Sequence, residues 1–215
     1  MANNNTVINP IIKIVVLGDS GVGKSTFIKA FENDHSIETT MVSTIGSDII
    51  YKTFMIKGHG EIQLHIWDTA GQEKFSFGTD SLYRSALGCI MIYDIGNRES
   101  FINLTKWINK FYSFRGKDNR GIDYDIIIVA NKNDLKGEKR EVSMAEATDF
   151  SNTSSLTHVF CSSLKKSEDK TDIPFKVLLE KIIKLKEFDL RVKAASKLTR
   201  NKVNVSEQNA EDCTC

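Results

Sequence analysis

The chain has 215 residues, 40% of them hydrophobic and 27% charged, with a formal net charge of +1 at pH 7. That length and apolar content fit one soluble globular domain with a full core, and the near-neutral balance gives no electrostatic footprint for nucleic acid. No apolar run approaches the roughly 18 residues that a membrane-spanning helix needs. Residues 1–10 lack a basic segment followed by an apolar core, so they are expected to be a short disordered lead rather than a signal peptide. Ala2 stands where myristoylation requires glycine.

Residues 11–17 read IIKIVVL, a continuous apolar run suited to a strand buried on both faces of a parallel sheet. A glycine-rich turn follows, and then Phe27, Ile28 and Phe31 at helical spacing, which is the start of a βαβ unit. After a polar stretch, residues 49–56 and 61–67 flank a turn at 58–60 and read as a hairpin. Residues 88–95 predict the next buried strand. Phe101, Leu104, Ile108 and Phe111 recur at three and four residues, an amphipathic helix face. Residues 126–130 predict another buried strand. Ser143 and Glu146 have capping-box spacing at the start of a helix reaching about Asn152. A short strand at 159–161 precedes a last helix whose stripe is Phe175, Leu178, Leu179, Ile182 and Ile183, with Pro174 in its first turn. Cys89 and Cys161 sit inside apolar runs and are expected to behave as small core hydrophobes.

Strands alternating with helices in this order predict a doubly wound α/β domain with a mostly parallel six-stranded sheet and helices on both faces. The expected organisation is a disordered lead over 1–10, one domain over 11–184, and a flexible tail over 185–215 that is basic at first and then polar. A ligand should lie at the C-terminal ends of the strands.

Residues 18–25 read GDSGVGKS and match the phosphate-binding loop G-x-x-x-x-G-K-[ST] at every required position. Gly21 and Gly23 permit backbone angles that other residues resist, so consecutive N–H groups can converge on one phosphate. The helix that follows adds its positive N-terminal end. Asp19, Ser20, Gly21, Val22, Gly23, Lys24, Ser25 and Thr26 are therefore expected to bind nucleotide. Lys24 would reach the β and γ phosphates, and Ser25 would ligate Mg²⁺.

This loop alone says only nucleoside triphosphate, and ATPases and small-molecule kinases share it. Two further segments choose among these. Asp68 at a strand end suits the Walker-B role of holding Mg²⁺, Gly71 can bring its N–H to the γ-phosphate, and Gln72 can orient an attacking water, being donor and acceptor at once. Asn131, Lys132, Asn133 and Asp134 follow a buried strand. Asp134 can accept from guanine N1–H and its exocyclic amine, donors that adenine does not offer in that arrangement. Asn131 can brace the loop, and the Lys132 stem can cover the base.

GDSGVGKS, Thr44-Ile45-Gly46, WDTAGQE, NKND and Ser162-Ser163-Leu164-Lys165 together resemble the Ras superfamily, and WDTAGQEKF, Tyr83-Arg84-Ser85-Ala86, YDIGNRESF and the Cys-Thr-Cys end resemble its Rab branch. The resemblance covers roughly residues 11–183. It implies a P-loop G domain that binds GTP or GDP with Mg²⁺, hydrolyses GTP slowly unless an activating protein assists, and works as a monomeric switch in vesicle traffic. Its implied partners are exchange factors, activating proteins, effectors, an escort protein and a dissociation inhibitor. It also implies that Thr44 completes the Mg²⁺ surroundings and that Ser163, Leu164 and Lys165 form the loop beside the base.

Cys213 and Cys215 fit the Rab pattern of two geranylgeranyl groups, since Asp212 stands where a C-a-a-X box would need cysteine. The expected location is the cytoplasmic face of an endomembrane or the plasma membrane, in exchange with cytosol. A scaffold of the same fold with negligible hydrolysis is the alternative, which an intact phosphate loop and Gln72 disfavour.

The chain departs from the family at four informative places. Leu164 replaces the usual alanine. Ser36, beside His35, stands where an aromatic customarily packs on the base, which predicts weaker ring packing and faster intrinsic GDP release. Ile49 and Leu82 replace two aromatics of the family's effector triad, leaving Trp67 as its one aromatic member. Aromatic anchors often carry interface energy, so the effectors of ordinary Rabs are not expected to transfer unchanged.

Overall fold

A computed structural model of the chain describes residues 9–32, 49–68, 83, 85–116, 124–164 and 171–211, with side chains omitted at 115–116 and 200–211. The strands are β1 (Ile11–Leu17), β2 (Ile49–Ile56), β3 (Gly60–Asp68), β4 (Gly88–Asp94), β5 (Asp125–Asn131) and β6 (Thr157–Phe160). They form one sheet in the order β2-β3-β1-β4-β5-β6. Only the β2–β3 pair is antiparallel, as the tight 57–59 turn requires. The other four pairings are parallel.

β1 lies at the centre, and its alternation explains why a continuous apolar run was needed. Ile12, Ile14 and Val16 join one core cluster, while Val15 and Leu17 join the other. The first cluster is closed by α1 (Lys24–Glu32) and α5 (Asp172–Ile182), whose Phe31 and Phe175 rings stack at 3.7 Å between centroids. The second is closed by α2 (Arg98–Ile102), α3 (Leu104–Gly116) and α4 (Met144–Ser154), through Phe101, Leu104, Ile108, Phe111 and Ala147. Helices thus cover both faces, as the alternation of elements predicts. Cys89 and Cys161 are buried, and burial pushes the Cys89 thiol well up.

Three local findings refine the sequence reading. The face Phe101–Phe111 is broken into two helices at Asn103, whose backbone N–H caps α2 by reaching the Glu99 and Phe101 carbonyls. Ser143 caps α4 by accepting from the Glu146 N–H at 3.1 Å, but the Glu146 carboxylate goes to the Arg98 guanidinium rather than serving only its own helix. The residues from 186, expected as a flexible tail, form α6 (Lys186–Glu211). Phe188 is fully buried against the first cluster with its ring 5.1 Å from that of His59, and Ala195 is buried two turns further along the same face. Arg191 fastens the same turns by donating to the carbonyls of Ile11 at 3.1 Å and Ser85 at 2.9 Å. The apolar spacing Phe188–Val192–Ala195 was the signal for this contact, and the surrounding lysines masked it.

Among the described residues, no helix is long and apolar enough to cross a membrane.

Candidate functional site

The C-terminal ends of β1, β3, β5 and β6 face one edge of the sheet, and the sequence motifs sit on the loops that leave them. The phosphate loop leaves β1 and enters α1 at Lys24. Gly21 and Gly23 have φ of +82° and +95°, in the region that side chains resist. A Cβ on Gly23 would stand 2.6 Å from Asn131 Nδ2, whereas one on Gly21 would meet nothing within 4 Å. The loop is therefore pressed against the β5 loop at Gly23 and open at Gly21. Helix α1 begins at once, with Phe27 N–H donating to the Gly23 carbonyl at 2.8 Å.

Lys24 is buried, and its Nζ donates to the carbonyls of Gly18 at 2.8 Å and Asp19 at 2.9 Å. The loop thus curls around its own ammonium. A buried charge held by backbone carbonyls on one side is poised to meet an anion. Ser25 and Thr26 follow in the first turn of α1. The donor set fits a phosphate chain: glycine-permitted amides, a helix N-terminus and a fixed ammonium.

Asn131 ends β5 and is almost wholly buried. Its Nδ2 donates to the Val22 carbonyl at 2.8 Å. Its Oδ1 accepts from the Ser163 hydroxyl at 2.8 Å and the Ser163 N–H at 3.2 Å. One side chain therefore clamps the phosphate loop to the loop after β6. Lys132 takes a left-handed backbone, φ +62°, and sends its Nζ to the Gly21 carbonyl at 3.2 Å and the Asp94 carboxylate at 2.5 Å. Asp134 Oδ1 accepts from the Ser162 hydroxyl at 2.5 Å, so the carboxylate expected to read a base has its orientation set by its neighbour loop. Leu164 beside it is 72% exposed, so its bulk projects outward and does not crowd the core.

Asp68 ends β3 with Val16 as its register partner on β1, which places its carboxylate-bearing residue beside the start of the phosphate loop. Ile49 and Trp67 are register partners across β2 and β3. The Lys13 ammonium lies 4.0 Å over the Trp67 ring, and burial pulls its pKa down to about 8. Thr44, Gly71, Gln72, Ser36, Leu82, Lys165, Cys213 and Cys215 lie outside the described residues.

Several supporting residues were not assigned from sequence. Asp94 pairs with Lys132 from the end of β4, and Ser162 orients Asp134. Asn103 Nδ2 and Trp107 Nε1 both donate to the Asp19 carboxylate at 2.7 Å. A carboxylate inside a phosphate loop signals that some donor must hold it, but no spacing rule says that the end of α2 and the first turn of α3 supply it.

Residues 13–184 match the Ras family. The chain is 41% identical over 161 residues to the Ras-related protein Rab-11B of Dictyostelium discoideum, covering 75% of this chain and 70% of that protein. It is 36% identical over 172 residues to the Ras-related protein Rab-18-B of Danio rerio, covering 80% and 79%. It is also 41% identical over 133 residues to the Ras-related protein Rab-10 of Caenorhabditis elegans, covering 62% of each.

Proposed function

Because the chain belongs to the Ras family, as a Rab-like small GTPase that hydrolyses GTP and switches between GTP and GDP forms, we propose which of its own residues run that cycle. Family membership implies binding of guanine nucleotide with Mg²⁺. In the proposed assignment, the amides of 19–23 and the Lys24 ammonium hold the phosphates. Ser25, Thr44 and Asp68 would hold Mg²⁺, which neutralises charge on the β and γ phosphates.

Asp134 reads the guanine N1–H and amine, Lys132 covers the base, and Ser163, Leu164 and Lys165 line its far side. The observation that carries this reading is Asn131, which ties Val22 of the phosphate loop to Ser163 of the β6 loop. One ligand spanning both loops is the economical reason for such a clamp.

Gln72 positions the attacking water, and Thr44 and Gly71 engage the γ-phosphate. Its departure frees both segments, so the surface offered to partners changes with the nucleotide. No covalent intermediate is needed, because positioning and charge stabilisation suffice. Intrinsic turnover is accordingly slow, and an activating protein adds the missing charge. Exchange factors, effectors, an escort protein and a dissociation inhibitor complete the proposed cycle.

Membrane attachment is assigned to geranylgeranyl groups on Cys213 and Cys215. A single chain binds marginally and two bind stably, each buried CH₂ contributing about 0.8 kcal/mol. The proposed site of action is the cytoplasmic face of a vesicle-forming membrane, in exchange with cytosol. Intact-mass measurement of protein from its native cell should show the added mass of two prenyl chains, and an unmodified mass removes the anchor.

Single-turnover hydrolysis of bound GTP tests the catalytic assignment. Gln72→Leu should retain GTP while the parent converts it to GDP, with a rate loss of about tenfold or more. Equal conversion by the two proteins contradicts the role given to Gln72.

A further inference from the structure

Asp19 carries a negative charge in the loop assigned above to a polyphosphate. Its backbone carbonyl accepts from the Lys24 ammonium at 2.9 Å. Its side chain is held by other donors. Oδ2 accepts from Asn103 Nδ2 and Oδ1 from Trp107 Nε1, each at 2.7 Å. Both donors come from successive turns of one region: Asn103 ends α2, and Trp107, four residues on, lies in α3 and bonds its N–H back to the Asn103 carbonyl at 3.1 Å.

We propose that Asn103 and Trp107 are positioning residues for nucleotide binding, holding the Asp19 carboxylate away from Lys24 and the phosphate chain. The chemistry favours this pair. An ionised carboxylate without partners in the loop would have two outlets, and both harm the site. It could turn toward the phosphates and repel them, or pair with Lys24 and take that ammonium from the phosphates. Two neutral donors satisfy both oxygens through charge-assisted bonds without adding a cation that would compete for phosphate. The indole N–H is a donor only, and the asparagine amide adds its own N–H, so each oxygen receives one directed bond. The same contact fastens the phosphate loop to α3, which makes nucleotide retention sensitive to the placement of that helix.

The inference rests on the phosphate-loop reading above. The test measures release of a fluorescent GDP analogue from the full chain, for the parent, Asn103→Ala and Trp107→Phe, each made with Asp19 and again with Asp19→Asn. Trp107→Phe keeps an aromatic ring but removes the N–H together with part of the indole, and the Asp19→Asn background controls for that lost volume. With Asp19 present, each change should speed release by about tenfold. In the Asp19→Asn background the same changes should shift it by less than about twofold, because an amide keeps an acceptor but has no charge to redirect.

Higher ionic strength should shrink the acceleration. Release unchanged with Asp19 present overturns the proposal. So does equal acceleration in both backgrounds, which marks plain loosening of α3. Should Trp107→Phe not fold, Asn103→Ala carries the comparison alone. A parent that fails to retain guanine nucleotide at all contradicts the phosphate-loop reading instead.

Discussion

Individual side chains in this protein show their purpose through what they leave no room for. Gly23 is the clearest: any side chain there meets the Asn131 amide at 2.6 Å, and that amide is the clamp between two loops. Asp134 and Ser162 make a similar pair, in which a hydroxyl fixes the direction of the carboxylate proposed to read the base. His158 is a different case, since it lies away from the assigned ligand contacts and its role is packing. Its ring stacks on Tyr93, meets Phe160 edge-on, and lies with Nε2 3.2 Å from the Tyr93 hydroxyl.

Burial lowers the His158 pKa from 6.5 to about 4, and raises that of Tyr93. Between those two values for histidine, the unfolded chain binds a proton that the folded protein refuses. Stability therefore rises as pH climbs from about 4 to 6.5, and falls on acidification through the same window. A shift of this size corresponds to on the order of 3 kcal/mol. His158→Gln keeps a hydrogen-bonding group and cannot titrate there. Its thermal midpoint should fall less than the parent's between pH 6.5 and pH 4, and parallel curves would remove the histidine from the pH response.

At the level of elements, α6 shows how little apolar surface is needed to dock a helix. Among the described side chains of α6, Phe188 is fully buried, and Arg191 and Ala195 secure the next two turns. Arg191 also bonds Glu187 within the helix at 3.3 Å. Its two carbonyl partners belong to the start of β1 and to the approach to β4, so α6 spans two strands' entrances rather than hanging from the domain's end. Truncating a buried aromatic to alanine costs about 3–5 kcal/mol. Phe188→Ala should lower the thermal midpoint of the whole domain by several degrees, and an unchanged midpoint would mean that α6 docks without contributing to stability. The split between α2 and α3 has the opposite logic. Capping α2 with Asn103 ends one helix and frees that side chain to reach Asp19.

The molecule as a whole is organised by its strand order. Placing β1 between β3 and β4 brings loops distant in sequence to one edge, and Asn131 joins two of them directly. A ligand contacting all of these loops binds the folded chain and not the unfolded one, so it must stabilise the fold by mass action. Stripping nucleotide and metal with a chelator should lower the thermal midpoint, and refilling with GDP at about 1,000 times its dissociation constant should restore about 4 kcal/mol. A midpoint indifferent to GDP would place the nucleotide outside these loops.

The sequence alone determined the strand–helix alternation, the phosphate-loop motif and the NKND tetrapeptide that follows β5. These depend on local rules: the period of apolar residues, the angles glycine permits, and fixed spacing within one turn. It also led to the family, since the motifs recur in order. Only the tertiary structure decided that Asn131 clamps Val22 to Ser163, that Lys132 leans on Asp94, that Asn103 and Trp107 hold Asp19, and that Phe188 docks the residues taken for tail. Each of these contacts joins residues on different elements, and their distances are set by how the sheet and its helices pack. Spacing along the chain carries no record of that packing.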